Sequence, residues 1–257
     1  MLPTLTLGPL VLPVPAFLLL IGVWLGITLS EKFAHTYGTD RNQLSSLVSF
    51  FLAALVIGSR ASFIARYPGA FMNNWLSVLS PNLAMFDWTG GFLIGLLVAA
   101  IFISRRQLDV WKTLDSLTPA ILTFLFALGL SYLASGQYYG VPTRLPWGIP
   151  LWGALRHPTQ VYWLLWMIGI AILLWPRPRR QWFPGFSFLI LLLLLSIGMG
   201  VIEYFRADSQ SLLGGLRIPQ LYAFLALCFS LWQMGNRIRD FQLIHPQEVQ
   251  NGSDFHS

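Results

Sequence analysis

Residues 185–205 read GFSFLILLLLLSIGMGVIEYF, followed by Arg206, Ala207 and Asp208. Eighteen residues pass before the first ionisable side chain, Glu203. A bilayer-spanning helix needs about 20 predominantly apolar residues, so this stretch decides the class of fold. Its end is equally informative. Glu203 and Arg206 are three apart, which on a helix places them on one face. Ionisable groups at a bilayer edge are costly unless they pair or bind something. Two readings follow: a buried ion pair that fixes packing, or an arginine that binds an anionic group while Glu203 holds it in place.

Six further stretches have the same character. They run from Leu10 to Leu29, Leu44 to Ile64, Gly90 to Ser104, Leu114 to Ser135, Gln160 to Trp175 and Leu216 to Gly235. Composition agrees: 55% of the 257 residues are hydrophobic and 10% charged, with a mean hydropathy of +0.63, whereas soluble domains carry about 25% charged residues. The expected fold is an all-α integral membrane protein of about seven transmembrane helices, with one membrane domain over residues 1–236 and a polar cytoplasmic tail over 237–257. No internal repeat is visible, which disfavours a two-halved transporter.

The first cation is Lys32. A cleavable signal has a basic region before its apolar core, so the first stretch reads as a retained helix. With the N-terminus outside, ten of the sixteen Lys and Arg fall in cytoplasmic loops. The other six are Arg60, Arg66, Arg144, Arg156, Arg206 and Arg217. The positive-inside rule then places the C-terminus in the cytoplasm. Cytoplasmic cation clusters explain the net charge of +6 without nucleic acid, for which there is no basic stripe with interleaved aromatics. The lone Cys228 and four scattered histidines provide neither a disulfide nor a metal centre; no metal or cofactor is expected.

The candidate chemistry gathers outside the helices. Arg156-His157-Pro158-Thr159-Gln160-Val161-Tyr162 sets two potential cations, an amide and a phenol at the start of an apolar segment. An unperturbed imidazole, with a pKa of about 6.5, suits proton transfer, so His157 is a candidate for that role, or it serves as a structural hydrogen bonder; Gln160 and Tyr162 orient the loop. Upstream, Gly136 to Leu155 is rich in Gly and Pro and cannot be a helix. Such backbone is tolerated near a membrane where protein buries it or it lines a wet cavity. Arg60, in Gly58-Ser59-Arg60, either snorkels to the interface or reaches a phosphate. Gly90-Gly91 allows close approach of a helix or a headgroup. Asp115 reads as a carboxylate offsetting a helix dipole. Between Arg66 and Trp88, Phe71, Trp75, Leu76, Leu79, Met85 and Phe86 suggest an interfacial arm, or a wrapped connector.

In order, Gly58-Ser59-Arg60, Gly90-Gly91, Asp115 to Ala120, Gly136 to Thr143 with Pro146-Trp147, Arg156 to Tyr162 and Ile202 to Asp208 resemble the bacterial prolipoprotein diacylglyceryl transferases. The resemblance covers about residues 8 to 235, and Arg156 to Tyr162 is its most specific piece. It implies a seven-helix enzyme of the inner membrane that moves diacylglycerol from phosphatidylglycerol to a cysteine thiol in a lipoprotein signal peptide. On that resemblance His157, Glu203 and Arg206 are the catalytic set. Arg60, Arg156, Gln137, Gly140, Gln160, Tyr162, Gly90 and Gly91 bind substrate. The chain departs from the family pattern at Gly129 and Met199 (arginines in the family), Tyr132 (Asn), Gln137 and Trp163 (Glu) and Thr89 (His), and near Pro15-Ala16-Phe17 (a tyrosine). The departures leave a second reading, a homologue that binds phospholipid or signal helix without turnover.

Overall fold

The computed structural model describes residues 4–7, 10–72, 77–78, 82–175, 183–211 and 215–244. Seven helices dominate: α1 (Val14–Phe33), α2 (Arg41–Arg66), α3 (Trp88–Arg105), α4 (Val110–Ser135), α5 (Thr159–Leu174), α6 (Phe186–Phe205) and α7 (Ile218–Ile244). Five are long and apolar enough to cross a membrane: α1 with the turn after it, α2, α3, α4 and α6. The apolar α5 has 16 residues, short of the length of a full span. The fold is the all-α membrane class expected, with five full-length spans among the described residues rather than seven.

Helix starts follow side-chain chemistry. Asp40 accepts from Gln43 N–H at 2.9 Å ahead of α2, and Asp87 from Gly90 N–H at 3.3 Å ahead of α3. Asp109 accepts from Trp111 and Lys112 N–H at 2.9 and 3.0 Å ahead of α4. Each carboxylate satisfies amides that the first helical turn leaves unpaired. The apolar run from Leu10 starts later as helix than its hydropathy predicts. Leu10–Pro13 forms a strand, β2, antiparallel to β1 (Thr4–Leu7), and α1 begins beside Pro13 and Pro15, which fit a first turn. At the other end α7 runs to Ile244, past the expected boundary at Asn236.

The chain forms two compact units, Tyr37–Thr113 and Met1–Thr36 with Leu114–Ser257. In the first, α2 and α3 pack through small residues: a Cβ on Gly91 would stand 1.9 Å from Ser59 Oγ, and one on Gly58 would stand 2.9 Å from Ile94. Small residues of this kind let membrane helices approach closely. In the second, α1 meets α4 where Gly22 faces Ala127 and Gly26 faces Ala120. Pro119 lies inside α4, and the next amide, Ala120 N–H, donates to Ser30 Oγ at 3.0 Å, the kind of hydroxyl support that makes a proline tolerable in a membrane helix. A core of Tyr138, Trp163, Met167, Ile170, Leu191 and Ile202 joins α4, α5 and α6.

Asp115 corrects its expected role. It lies in the second turn of α4, whose start Asp109 already serves. It is fully buried and accepts from Gly185 N–H at 2.6 Å and Phe188 N–H at 2.9 Å. The dipole it offsets is that of α6, about seventy residues away in sequence.

Candidate active site

The Gly/Pro-rich loop after α4 is not helical, as its composition requires. Residues 139–143 run between the end of α6 and the chain leading to α5. Val141 N–H donates to Phe205 O and Ala207 N–H to Tyr139 O, each at 2.8 Å, while His157 N–H donates to Val141 O at 3.1 Å. The hairpin of β3 (Ile149–Leu151) and β4 (Ala154–Arg156) continues this layer. Its tip, Trp152-Gly153, has φ of +53° and +75°, the sign that a tight two-residue hairpin turn demands. Gly140 sits where strands close in; a Cβ there would lie 2.4 Å from His157 O. Arg156-His157 and Glu203-Arg206, 47 residues apart in the numbering, are thereby neighbours through one strand.

Arg206 is the hub. Its Nη1 lies 3.3 Å from both Glu203 oxygens, and its Nε donates to Asp208 Oδ1 at 2.5 Å. The guanidinium carbon stands 4.2 Å from the centre of the Tyr138 ring, a cation–π contact. Glu203 is fully buried and the Arg206 side chain 20% exposed, so the pair points into the fold, as its position on the helix predicts. Asp208 also accepts from Tyr138 N–H at 2.8 Å, and Thr159 hydroxyl donates to Tyr138 O. Tyr138 therefore keeps its positive φ of 59° under three constraints. Burial, then the Glu203 charge, pushes its phenol above the ordinary range, so it stays protonated.

His157 Nδ1 lies 3.2 Å from Tyr162 Oη, and Trp147 Nε1–H donates to the same oxygen at 2.9 Å. The Phe205 ring lies 5.1 Å from the imidazole. Arg156 donates from Nε to Leu151 O at 3.0 Å and from Nη1 to Gly140 O at 3.3 Å, with its guanidinium carbon 5.0 Å from the Tyr139 ring centre. Gln160 is fully buried. Its amide donates to Gln137 O at 2.8 Å, while its Oε1 has no hydrogen-bond partner among the described residues. Gln137 contributes its backbone carbonyl, and its side chain is exposed.

The remaining predicted residues lie in the Tyr37–Thr113 unit. Arg60 is buried and donates to Val78 O at 2.8 Å, Met85 O at 2.9 Å and Ser77 O. Its guanidinium carbon lies 5.4 and 5.5 Å from the rings of Phe71 and Phe86. Rather than snorkelling, it organises the segment between α2 and α3; Trp75, Leu76 and Leu79 of that segment lie outside the described residues. Gly90 and Gly91 face Ser62 and Ser59 of α2, which is the helix-packing alternative. Asp87 joins the same region, 2.8 Å from Ser62 Oγ and 3.1 Å from Arg66. The Ser62 hydrogen bond, then that of Gly90, holds its carboxyl below the usual range.

A family model described as prolipoprotein diacylglyceryl transferase matches residues 4–235. The chain belongs to that family. Relatives named phosphatidylglycerol–prolipoprotein diacylglyceryl transferase include the protein of Thermosynechococcus vestitus, 29% identical over 248 residues that cover 89% of this chain and 90% of the relative. That of Prochlorococcus marinus is 29% identical over 269 residues, covering 88% and 86%. That of Synechococcus elongatus is 29% identical over 258 residues, covering 89% and 85%. Family membership and the apolar helices together make this a multi-pass bacterial membrane protein.

Gly129, Tyr132 and Trp163, the positions at which the resemblance implied polar residues, are neighbours. A Cβ on Gly129 would lie 2.7 Å from the Trp163 ring. Tyr132 stacks on Tyr138 at 5.0 Å, and Tyr138 meets Trp163 edge-on at 6.0 Å. Trp163 Nε1–H donates to Leu125 O at 3.0 Å. Tyr132, Tyr138 and Trp163 form one packed aromatic cluster, and the cation–π face of Arg206 rests on it. The sequence reading left out Tyr138 and gave Asp208 only a place at the end of the helix. Their signal was local: a tyrosine directly after Gly-Gln in a helix-breaking loop, and an acid two residues beyond Arg206.

Proposed function

We propose that this protein transfers the diacylglyceryl group of phosphatidylglycerol to the thiol of a lipoprotein signal-peptide cysteine, in the bacterial inner membrane, with its N-terminus outside and C-terminus in the cytoplasm. The observation that carries the reading is the convergence of Arg156–Tyr162 with Glu203–Asp208 across Gly140, at the end of an apolar helix. That is where a lipid headgroup and a membrane-borne thiol can meet.

In the tautomer with a proton on Nδ1, Tyr162 Oη accepts from both His157 and Trp147, and Nε2 keeps a lone pair. Nε2 then takes the proton of the cysteine thiol. The thiolate attacks the diacylglycerol carbon that bears the phosphate ester. The C–S bond forms, the C–O bond breaks, and its electron pair leaves on the phosphate oxygen of glycerol phosphate. Arg156 holds the phosphate. Arg206 offers its Nη2 edge, because Nε and Nη1 are engaged by Asp208 and Glu203. Guanidinium groups aimed at the leaving charge supply the electrostatic part of catalysis. Gln160 Oε1 is an unmet acceptor suited to a glycerol hydroxyl.

The test uses purified protein in vesicles containing phosphatidylglycerol, with a cysteine-bearing signal peptide read by mass spectrometry. Lipidated peptide and glycerol phosphate should appear together, and His157→Ala should slow their formation by about 10²–10⁴-fold. Phosphatidylglycerol binding without product would sink the transferase reading in favour of a binding role.

A further inference from the structure

The six cations outside the predicted cytoplasmic clusters have very different surroundings. Arg66 pairs with Asp87, Arg206 with Glu203 and Asp208, and Arg60 lies among three carbonyls. Arg144 is exposed, and Arg156 spends Nε and Nη1 on carbonyls. Arg217 is half-buried. It makes one side-chain hydrogen bond, from Nη1 to Arg206 O, and meets no carboxylate among the described residues. Residues 212–214, beside it in sequence, are Leu-Leu-Gly and bring no acid.

Its backbone is pinned. Arg217 N–H donates to Gln220 Oε1 at 3.1 Å, Ser211 and Arg217 form an antiparallel bridge, and Ile218 N–H donates to Gln210 O at 3.2 Å. The side chain therefore springs from a fixed point, with its head against the main chain of the hub residue. Arginine carries five N–H donors, and four are left. The nearby charges make the pattern specific. Glu203, Arg206 and Asp208 sum to one negative charge, so an anion at the Nη2 edge of Arg206 calls for a second cation beside it. A half-buried guanidinium lacking a counter-charge at the end of a membrane bundle is unfavourable until an anion completes it, and its planar fork matches phosphate oxygens.

We infer that Arg217 binds the phosphate of the anionic phospholipid donor, at the end of α6 beside the Glu203–Arg206–Asp208 cluster. The inference rests on the reading of the protein as a phospholipid-using transferase and adds a residue to its donor site. Phosphate could be presented as lipid headgroup or as soluble glycerol phosphate, and the same geometry accepts either.

The experiment compares wild type, Arg217→Gln and Arg217→Lys as full-length protein in phosphatidylcholine nanodiscs with increasing mole fractions of phosphatidylglycerol. Retained phosphatidylglycerol is measured by mass spectrometry, which does not depend on turnover, and thermal stability is measured without phosphatidylglycerol. Gln can still donate to Arg206 O but carries no charge, whereas Lys keeps the charge. The expected result is a loss of apparent phosphatidylglycerol affinity of about 10- to 100-fold in Arg217→Gln, as for one charged hydrogen-bonding group. The loss should be smaller in Arg217→Lys, with similar stability in both variants. Wild-type affinity in the Gln variant would overturn the inference. So would equal losses in both variants accompanied by equal loss of stability, the signature of a structural hydrogen bond. Glycerol phosphate displacing the lipid from wild type but not from the Gln variant would identify bare phosphate as sufficient. Displacement from neither, with the Gln defect kept, would identify the headgroup within the bilayer. A wild type that retains phosphatidylglycerol through Arg217 but makes no product fails the transferase reading alone. A working transferase indifferent to Arg217→Gln fails this inference alone.

Discussion

Arg206 illustrates how one side chain can settle several others. It neutralises buried Glu203, engages Asp208 and lies on the Tyr138 ring. Replacing Arg206 with Ala leaves Glu203 buried with no counter-charge, and breaking such a pair costs about 3–5 kcal/mol. Denaturation in detergent should show that loss, and Glu203→Gln in the same background should recover part of it by removing the orphaned charge. Asp87 gives a pH-dependent case. Its carboxyl is held below the usual range in the folded state, so its contribution is present above the unfolded pKa of about 4 and is lost as pH falls through the lower folded value. Asp87→Asn should thus melt earlier than wild type at neutral pH, and the gap should narrow below about pH 4. A gap independent of pH would show that the Ser62 and Gly90 bonds act through shape alone. The Glu203–Arg206 pair was readable from spacing, because three residues is one helical turn. The contacts of Arg60 with Ser77, Val78 and Met85 were not, because carbonyl acceptors carry no residue-type signature.

Elements are joined here by buried polar groups that act at a distance. Asp115 on α4 closes the start of α6 through Gly185 and Phe188. Asp115→Ala should leave those amides unpaired inside the fold, at about 1–3 kcal/mol for each unmet group. A melting temperature equal to wild type would refute the coupling. The strand through Gly140 is the second joint. A methyl group there would overlap the His157 carbonyl, and overpacking of this kind costs about 1–3 kcal/mol. Gly140→Ala should therefore disturb the His157 loop, with lost transfer activity as its readout. The helical elements were legible because an apolar run reports its own length. The β3–β4 hairpin was not, since Trp152 takes a positive φ that composition alone does not announce, and the β1–β2 pair took residues whose hydropathy read as helix.

For the whole molecule, the firm expectation concerns orientation. With the N-terminus outside, as proposed, ten of the sixteen cations would fall on the side of the C-terminus. A reporter fused after Ser257 should be active in the cytoplasm, and activity on the outer side would remove both the topology and the site location that depends on it.

By itself the sequence determined that the protein lives in a bilayer, roughly where its helices lie, and which polar stretches interrupt them. Those properties are local: hydrophobic length and one-turn spacing can be counted along the chain. The tertiary structure decided which of those polar groups serve one another. It set Asp208 against Tyr138 and Asp115 against Gly185, each pair seventy residues apart, and it packed Trp163 into the space left by Gly129. Among the described residues it also left Arg217 without a carboxylate while giving Arg206 two. A buried charge is satisfied by whatever the fold brings within about 3 Å, and that neighbour is chosen by helix packing and strand register, not by position in the chain.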